Sequence, residues 1–236
     1  MILNKYLSIY FILINLFTYC DCYYDICIVG ASSGLGKELV YQSLNNRKLK
    51  VLALTSNLDG IKEPYRGGGL NDNYEKPIVI NKNLKIENYW KDINYAYEYK
   101  NIIFTTGSSP FKEDYSYFLT NKYLNKLSVD CKTLSLVSAY GAGDSLNDAN
   151  LGIKVMENFY LRKVYQAKNK QEELINNYKQ NISNIKNPYY LNKVLIQNKN
   201  LKKNIYRPKV LTYGENIFNG QTRENLAMEI LDNMIF

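Results

Sequence analysis

Residues 25–36, Asp-Ile-Cys-Ile-Val-Gly-Ala-Ser-Ser-Gly-Leu-Gly, decide the fold of this 236-residue chain. Their first part is a short continuous apolar run, which is typical of a parallel strand buried on both faces. The three glycines predict a tight turn, residues 37–46 carry apolar side chains at helical spacing, and residues 48–54 read as a second strand. A strand, a glycine-rich turn, a helix and a strand within about 30 residues form the unit that binds dinucleotides.

The glycine turn carries the predicted phosphate contacts. Glycine lets the chain turn tightly and brings backbone N–H groups against a pyrophosphate, and the helix N-terminus adds partial positive charge. The hydroxyls of Ser32 and Ser33 can donate further hydrogen bonds. We therefore expect cofactor contacts from Gly30, Ser32, Ser33, Gly34, Leu35 and Gly36. The alternative is a structural turn in an α/β fold that has lost its ligand.

The end of the second strand indicates which nucleotide is bound. NAD sites place Asp or Glu there for the ribose hydroxyls, whereas this chain has Thr55-Ser56-Asn57. No carboxylate opposes a 2′-phosphate, and Lys62 and Arg66 follow on the next loop. The sequence favours NADP(H) over NAD(H), with Thr55 and Ser56 as cofactor-binding residues.

The remaining pattern predicts an α/β fold with a Rossmann-type doubly wound parallel sheet, a three-layer αβα single domain. The predicted strands are 77–80, 101–107, 133–137 and 204–211; the predicted helices are 89–99, 116–129, 153–178 and 223–234; the predicted loops are 57–76 and 179–200. Because ligands bind at the carboxyl ends of such strands, Thr105, Thr106 and Gly107 are expected near the nicotinamide half of the cofactor.

The composition of residues 1–22 predicts a leader segment outside the domain. The domain is then expected to cover residues 23–236. One charge, Lys5, precedes an apolar stretch of about 14 residues, shorter than the roughly 20 of a membrane span. Thr18 and Cys20 fit a signal-peptidase site, so we expect entry into the secretory pathway, with a complex plastid as one destination. An uncleaved N-terminal anchor and a buried helix are the alternatives, and we expect no other membrane contact.

Composition excludes several function classes. The chain has no histidine, which removes Ser-His-Asp and Cys-His catalysis and His-ligated zinc, and no metal site is expected. The net charge of +8 comes with no dense Lys/Arg run, so we interpret it as compositional and expect no nucleic-acid partner. Four cysteines are too few for a disulfide framework, and Cys27 and Cys131 are expected to be buried in the core.

Four features in order carry a family resemblance across roughly residues 25–234. They are Gly30-x-x-x-Gly34-x-Gly36; Val137-Ser-Ala-Tyr-Gly141; Tyr165-Gln-Ala-Lys168 with Glu172; and Tyr206-Arg-Pro-Lys-Val-Leu211 followed by Thr222-Arg-Glu-Asn-Leu-Ala227. Together they resemble the short-chain dehydrogenase/reductase superfamily, and most closely its atypical NAD(P)H-binding or NmrA-like branch.

This resemblance implies roles for the residues that follow the fifth strand. Ser138 matches a serine that hydrogen-bonds a substrate carbonyl, and Lys168 matches a lysine that binds the nicotinamide ribose. The family's catalytic pair is Tyr-x-x-x-Lys, but Tyr165 lies only three residues before Lys168, so the candidate catalytic residues Ser138, Lys168 and Tyr165 depart from the pattern. Glu172 and Arg207 are expected to form an ion pair rather than to act in catalysis.

Two functions fit these features. The first is an NADP(H)-dependent oxidoreductase that transfers hydride to a small-molecule acceptor, such as a flavin or quinone that needs little help with protonation. The second is a noncatalytic NAD(P)H-binding redox sensor or assembly factor, which the misplaced tyrosine favours. Isomerase or dehydratase chemistry on a nucleotide sugar fits less well, because those relatives keep the full pair.

Overall fold

The structure is a computed structural model, and the residues it describes fall into several ranges. They are 23–32, 34–63, 65–66, 75–76, 78, 80–90, 97–107, 115–128, 130–147, 149, 151–159, 161–179, 199–208, 211–212 and 221–236. The predicted leader, residues 1–22, and residue Ser33 lie outside them.

A six-stranded parallel sheet forms the middle of the fold. Its strands are β1 (Tyr23–Val29), β2 (Val51–Thr55), β3 (Leu84–Asn88), β4 (Glu98–Phe104), β5 (Thr133–Val137) and β6 (Lys202–Tyr206). They lie in the order β3-β2-β1-β4-β5-β6, and each neighbouring pair runs parallel. The strand order reverses between β1 and β4, which is the switch point where open α/β sheets bind ligands.

Six helices whose full length is described accompany the sheet. They are α1 (Gly34–Tyr41), α2 (Leu58–Lys62), α3 (Tyr115–Leu124), α4 (Leu151–Phe159), α5 (Arg162–Asn177) and α6 (Arg223–Asp232). A π-helical turn, Gln42–Asn46, continues α1, and a 3₁₀ turn covers Gly143–Leu146. Two short pairings complete the described elements: Tyr65–Arg66 with Glu75–Lys76, and Leu211–Thr212 with Gln221–Thr222.

β1 is buried on both faces, as its apolar run predicts. Ile26 and Ile28 point into one hydrophobic core, which also holds the apolar side chains of α1 and α6. Cys27 and Val29 point into a second core, which holds those of α3 and α5. Side chains alternate across a strand, so every second residue serves the same layer. The predicted three-layer αβα arrangement is therefore confirmed.

The third strand was predicted wrongly. It is β3, Leu84–Asn88, rather than residues 77–80; Ile78 and Ile80 belong to no strand. β3 lies at the sheet edge and pairs only with β2, so all its residues stay partly or fully exposed and their composition is mixed. An apolar run is not the signal of such a strand. The predicted loop 57–76 also contains α2, which begins where Asn57 Oδ1 accepts a hydrogen bond from Gly60 N at 3.0 Å.

The boundaries of several further elements differ from the sequence prediction. The helix expected over 89–99 is wrong at its end, because Tyr99 pairs with Tyr24 in the sheet. The long helix expected over 153–178 is two helices, since Leu161 has a non-helical backbone (φ −113°, ψ 14°). The strand expected over 204–211 ends at Tyr206, two residues before Pro208, which lacks the N–H that a strand needs. The helix expected over 116–129 ends at Leu124.

Cys27 and Cys131 are buried thiols, as predicted, and neither forms a disulfide with a described residue. Burial raises the pKa of the Cys27 thiol, and it raises that of Cys131 to about 12. Both thiols are therefore poor nucleophiles in the folded chain. Within the described ranges, no helix has the length and apolar character needed to cross a membrane.

Candidate functional site

The glycine turn joins the end of β1 to the start of α1 at the switch point. Gly30 and Gly34 have φ values of +93° and +53°, a conformation that side-chain-bearing residues rarely adopt. A Cβ atom on Gly36 would lie 2.1 Å from the carbonyl oxygen of Gly30. The start of the helix thus passes so close to the end of the strand that only glycine fits at residue 36.

A threonine that directly follows β4 is hydrogen-bonded to the backbone of this turn. Thr105 Oγ1 donates to the carbonyl oxygens of Val29 at 2.9 Å and Gly30 at 3.2 Å. A Cβ on Gly36 would also lie 2.7 Å from this hydroxyl. Thr105, which was expected near the nicotinamide, instead binds the backbone of the glycine turn.

The first turn of α1 presents its backbone N–H groups at this point. The first N–H groups of an α-helix have no partner within the helix, and here they belong to Gly34, Leu35 and Gly36. The side chain of Leu35 is buried in the hydrophobic core, so that residue can contribute only its backbone to a ligand. This turn fits a pyrophosphate, because it combines backbone N–H donors and the helix dipole with three glycines, which have no side chain to block a ligand.

The two hydroxyl-bearing residues at the end of β2, Thr55 and Ser56, differ in how accessible they are to a ligand. The buried Thr55 Oγ1 accepts a hydrogen bond from Asn57 N at 3.0 Å, which leaves the exposed Ser56 as the accessible hydroxyl. Lys62 pairs with Asp59 at 2.9 Å on an exposed surface. The side chain of Arg66 lies outside the described residues. Lys37 donates to the carbonyl oxygen of Gly60 at 2.7 Å, so its ammonium group is directed to α2.

Lys168 joins the carboxyl ends of β4 and β5. Its Nζ donates to the carbonyl oxygen of Thr106 at 2.9 Å and to that of Val137 at 3.1 Å. The side chain is buried, with 5% of the residue exposed. A buried ammonium group is costly unless it is hydrogen-bonded, so the two carbonyls hold it at this edge of the sheet.

A buried hydroxyl follows one of these two carbonyl partners in the chain. Ser138 directly follows Val137 and is 6% exposed, and its Oγ makes no hydrogen bond with the described residues. The same holds for Thr106 Oγ1 at the end of β4. The structure thus brings Thr106, Ser138 and Lys168 to one place, and Gly107 follows as an exposed residue. Unsatisfied buried hydroxyls are what a polar ligand would complete.

Tyr165 makes a different contact from that of Lys168. Its hydroxyl donates to the carbonyl oxygen of Tyr140 at 3.2 Å, and the residue is 8% exposed. The tyrosine therefore binds the loop that follows β5. Tyr165 precedes Lys168 by three residues, whereas the catalytic tyrosine of the family that the sequence resembles precedes its lysine by four.

Glu172 and Arg207 form the expected ion pair. Arg207 Nε and Nη2 donate to the two carboxylate oxygens of the buried Glu172 at 2.9 and 2.7 Å. This bidentate contact raises the pKa of Arg207. A Cβ on Gly143 would lie 2.1 Å from Glu172 Oε2, so the ion pair supports the loop after β5. The pair thereby links α5 to the segment that follows β6.

Arg223 lies beside the glycine turn, and the sequence prediction assigned it no role. It begins α6, and a Cβ on Gly34 would lie 3.7 Å from its Nε atom and 3.9 Å from its Cζ atom. The sequence singles out this residue only as part of the segment Thr222–Ala227. Its proximity to the glycine turn depends on how α6 packs on α1, which no local pattern reveals.

The chain resembles solved structures of NAD(P)-binding proteins over most of its length. ChuY, an anaerobillin reductase from Escherichia coli O157:H7, matches with a TM-score of 0.53 and 15% identity, over 88% of this chain and 89% of its own. A short-chain dehydrogenase/reductase from Veillonella parvula, in complex with NADP, matches with a TM-score of 0.55 and 13% identity, over 89% and 86%. A putative NAD-dependent epimerase/dehydratase from Bacillus halodurans matches with 0.52 and 16%, over 89% and 87%.

These likenesses establish the fold. It is the single-domain Rossmann-type fold of NAD(P)-binding reductases and epimerases, in agreement with the resemblance seen in the sequence. No protein-family model matches the chain, and no curated protein matches it.

Proposed function

We propose that this chain is an NADP(H)-binding oxidoreductase that transfers hydride to a small-molecule acceptor. The observation that carries the proposal is the group formed by Lys168 and Ser138 at the carboxyl ends of β4 and β5. It lies at the edge of the sheet that also carries the glycine turn. A phosphate-binding turn and a buried polar group at one switch point are the two halves of a dinucleotide site.

The residues divide the work between binding and orientation. Backbone N–H groups of Gly34 to Gly36 bind the pyrophosphate, and Lys168 binds a ribose hydroxyl while its two carbonyl partners hold it in place. The nicotinamide supplies the hydride when it is bound. The Ser138 hydroxyl donates a hydrogen bond to an oxygen of the acceptor and so orients it. The absence of a carboxylate at the end of β2 supports NADP(H) over NAD(H).

The position of Tyr165 supports an acceptor that needs little protonation. Its hydroxyl is engaged with the Tyr140 carbonyl, so it is not poised as a proton donor beside Lys168. A flavin or a quinone accepts hydride without a strong acid next to the reacting atom. The same observation supports the second candidate function, a noncatalytic NAD(P)H-binding redox sensor.

Turnover by the full-length protein separates the two functions. Purified protein is mixed with NADPH and a panel of quinones, flavins and carbonyl compounds, and NADPH oxidation is followed at its absorbance band. We expect turnover with one class of acceptor, and Ser138→Ala is expected to lower kcat/KM about tenfold or more through the loss of one hydrogen bond.

Ser43→Ala is the matched control for this experiment. Ser43 is also a buried serine whose hydroxyl makes no hydrogen bond with the described residues, but it lies in the π-helical turn after α1. We expect it to leave turnover unchanged. NADPH binding without turnover across the panel would favour the sensor, and no binding of NADPH or NADH at millimolar concentration would reject both functions.

Lys168→Met is expected to raise the dissociation constant for NADPH about tenfold or more. Methionine keeps most of the buried side-chain volume but removes the charged donor, and a hydrogen bond to a charged group contributes about 1.5–3 kcal/mol. Isothermal titration calorimetry measures the affinity, and thermal unfolding shows whether the variant is folded. Lys170→Met, an exposed change on the same helix, should bind like the wild type. Equal affinities of the two variants would remove Lys168 from the site.

A further inference from the structure

The guanidinium group of Arg223 lies beside the start of α1, where the glycine turn ends. Its Nε and Cζ atoms are 3.7 and 3.9 Å from the position that a Cβ of Gly34 would take. Gly34 is the first residue of α1, so this guanidinium borders the backbone N–H groups to which we assign the pyrophosphate. A full positive charge therefore lies next to the partial positive charge of the helix N-terminus.

Packing between two helices places the start of α6 beside α1. Gln42 Nε2, in the π-helical turn after α1, donates to the carbonyl oxygen of Glu224 at 3.0 Å, and Arg47 pairs with Asp232 at the other end of α6. Leu226 lies in the same hydrophobic core as α1. The Nη1 atom of Arg223 is itself buried. The core between α1 and α6 thus positions the start of α6, which carries this guanidinium.

We propose that Arg223 is a cofactor-binding residue whose guanidinium contacts a phosphate group of the dinucleotide at the glycine turn. This inference rests on the proposed function. Arginine presents planar donors that match two phosphate oxygens, and it stays charged at every relevant pH. The backbone donors of the turn are neutral, so Arg223 supplies the charge that they lack. The phosphate is either the pyrophosphate or the 2′-phosphate, which share this chemistry.

The test compares Arg223→Gln with a matched control, Arg162→Gln. Arg162 is also the first residue of its helix, α5, but it is exposed, so both changes remove the same charge from the same helical position. Dissociation constants for NADPH and NADH are measured by isothermal titration calorimetry with the full-length protein. We expect Arg223→Gln to weaken NADPH binding about ten- to a hundredfold, and Arg162→Gln to have no effect.

The two nucleotides distinguish the two phosphates. If Arg223 binds the pyrophosphate, the affinities for NADPH and NADH fall by the same factor; if it binds the 2′-phosphate, only the NADPH affinity falls. Arg223→Lys keeps the charge and is expected to recover part of the lost affinity. If Arg223→Gln binds NADPH and NADH as tightly as the wild type does, the inference is overturned and the proposed function stands. Failure of the wild type to bind either nucleotide would overturn the proposed function itself.

A measurement on the unaltered protein covers the case in which Arg223→Gln does not fold. Phenylglyoxal modifies arginine side chains, and peptide mapping by mass spectrometry reports the extent at each one. We expect saturating NADPH to slow modification of Arg223 at least fivefold and to leave that of Arg162 unchanged. Equal modification of Arg223 with and without NADPH, in protein shown to bind NADPH, would overturn the inference.

Discussion

Replacing Gly34 by glutamate is expected to abolish measurable NADPH binding, a loss of at least about a hundredfold, while the chain stays folded. A Cβ at this position meets no atom closer than 3.7 Å, so the new side chain has room. The positive φ of +53° costs an L-residue about 1–2 kcal/mol, which a folded domain can tolerate. The carboxylate, however, would lie where the first N–H groups of α1 meet the pyrophosphate. It would occupy their donors, pair with Arg223 and repel the phosphates.

Gly34→Ala is the control for this prediction. Alanine imposes the same backbone strain without a charge, so it should bind NADPH within about fivefold of the wild type. Calorimetric titration gives the two affinities, and circular dichroism during heating shows whether each variant is folded. A folded Gly34→Glu protein that retains its affinity would mean that the pyrophosphate binds elsewhere.

Gly36→Ala is expected to destabilise the fold by about 3 kcal/mol or more. The added methyl group would lie 2.1 Å from the carbonyl oxygen of Gly30 and 2.7 Å from Thr105 Oγ1. The first of these is backbone at the end of β1, held by Gly30 N donating to the Leu54 carbonyl at 2.8 Å. Because neither side of the contact can move freely, α1 must shift away from the sheet and lose part of its buried contact.

Thermal unfolding of the protein without nucleotide measures this effect. For a chain of this size, 3 kcal/mol corresponds to a fall in Tm of about 6–12 °C. Gly107→Ala serves as the control, since a Cβ there meets nothing within 4 Å and should change Tm by less than about 2 °C. Equal melting temperatures for Gly36→Ala and the wild type would show that α1 does not approach β1 as closely as described.

The parts of the fold that the sequence predicts well are those with strong local signals. β1 contains a continuous apolar run, Ile26–Val29, and β5 is buried along its whole length, because helices cover both faces of these strands. The spacing of the three glycines is enough to predict the turn. The prediction of β3 fails because an edge strand with one neighbour does not need a continuous apolar run. The break at Leu161 and the end of β6 depend on backbone geometry and tertiary packing. Local propensity gives little warning of either.

The candidate site shows the same division. Lys168 and Ser138 were found through a resemblance of short motifs, and the structure then brings Lys168 to the strand ends. Tyr165 matches no motif in register, and its hydroxyl faces the loop after β5. Arg223 lies close to Gly34 only through helix packing, although the two residues are far apart in the chain. Contacts of that kind become visible only when the helices are placed.

The position of β1 has a consequence for how the chain is made. β1 lies in the middle of the sheet, but its partner strand β4 follows much later in the chain. Hydrogen bonds between these two segments join residues 76 positions apart. At about 5–20 residues per second of synthesis, the ribosome needs roughly 4–15 s to supply that partner. During this interval one edge of β1, which includes the apolar run Ile26–Val29, has no neighbour, and an exposed strand edge of this kind can pair with other chains. The arrangement that creates a ligand crevice therefore also leaves the nascent chain with an unpaired strand edge until β4 is synthesised.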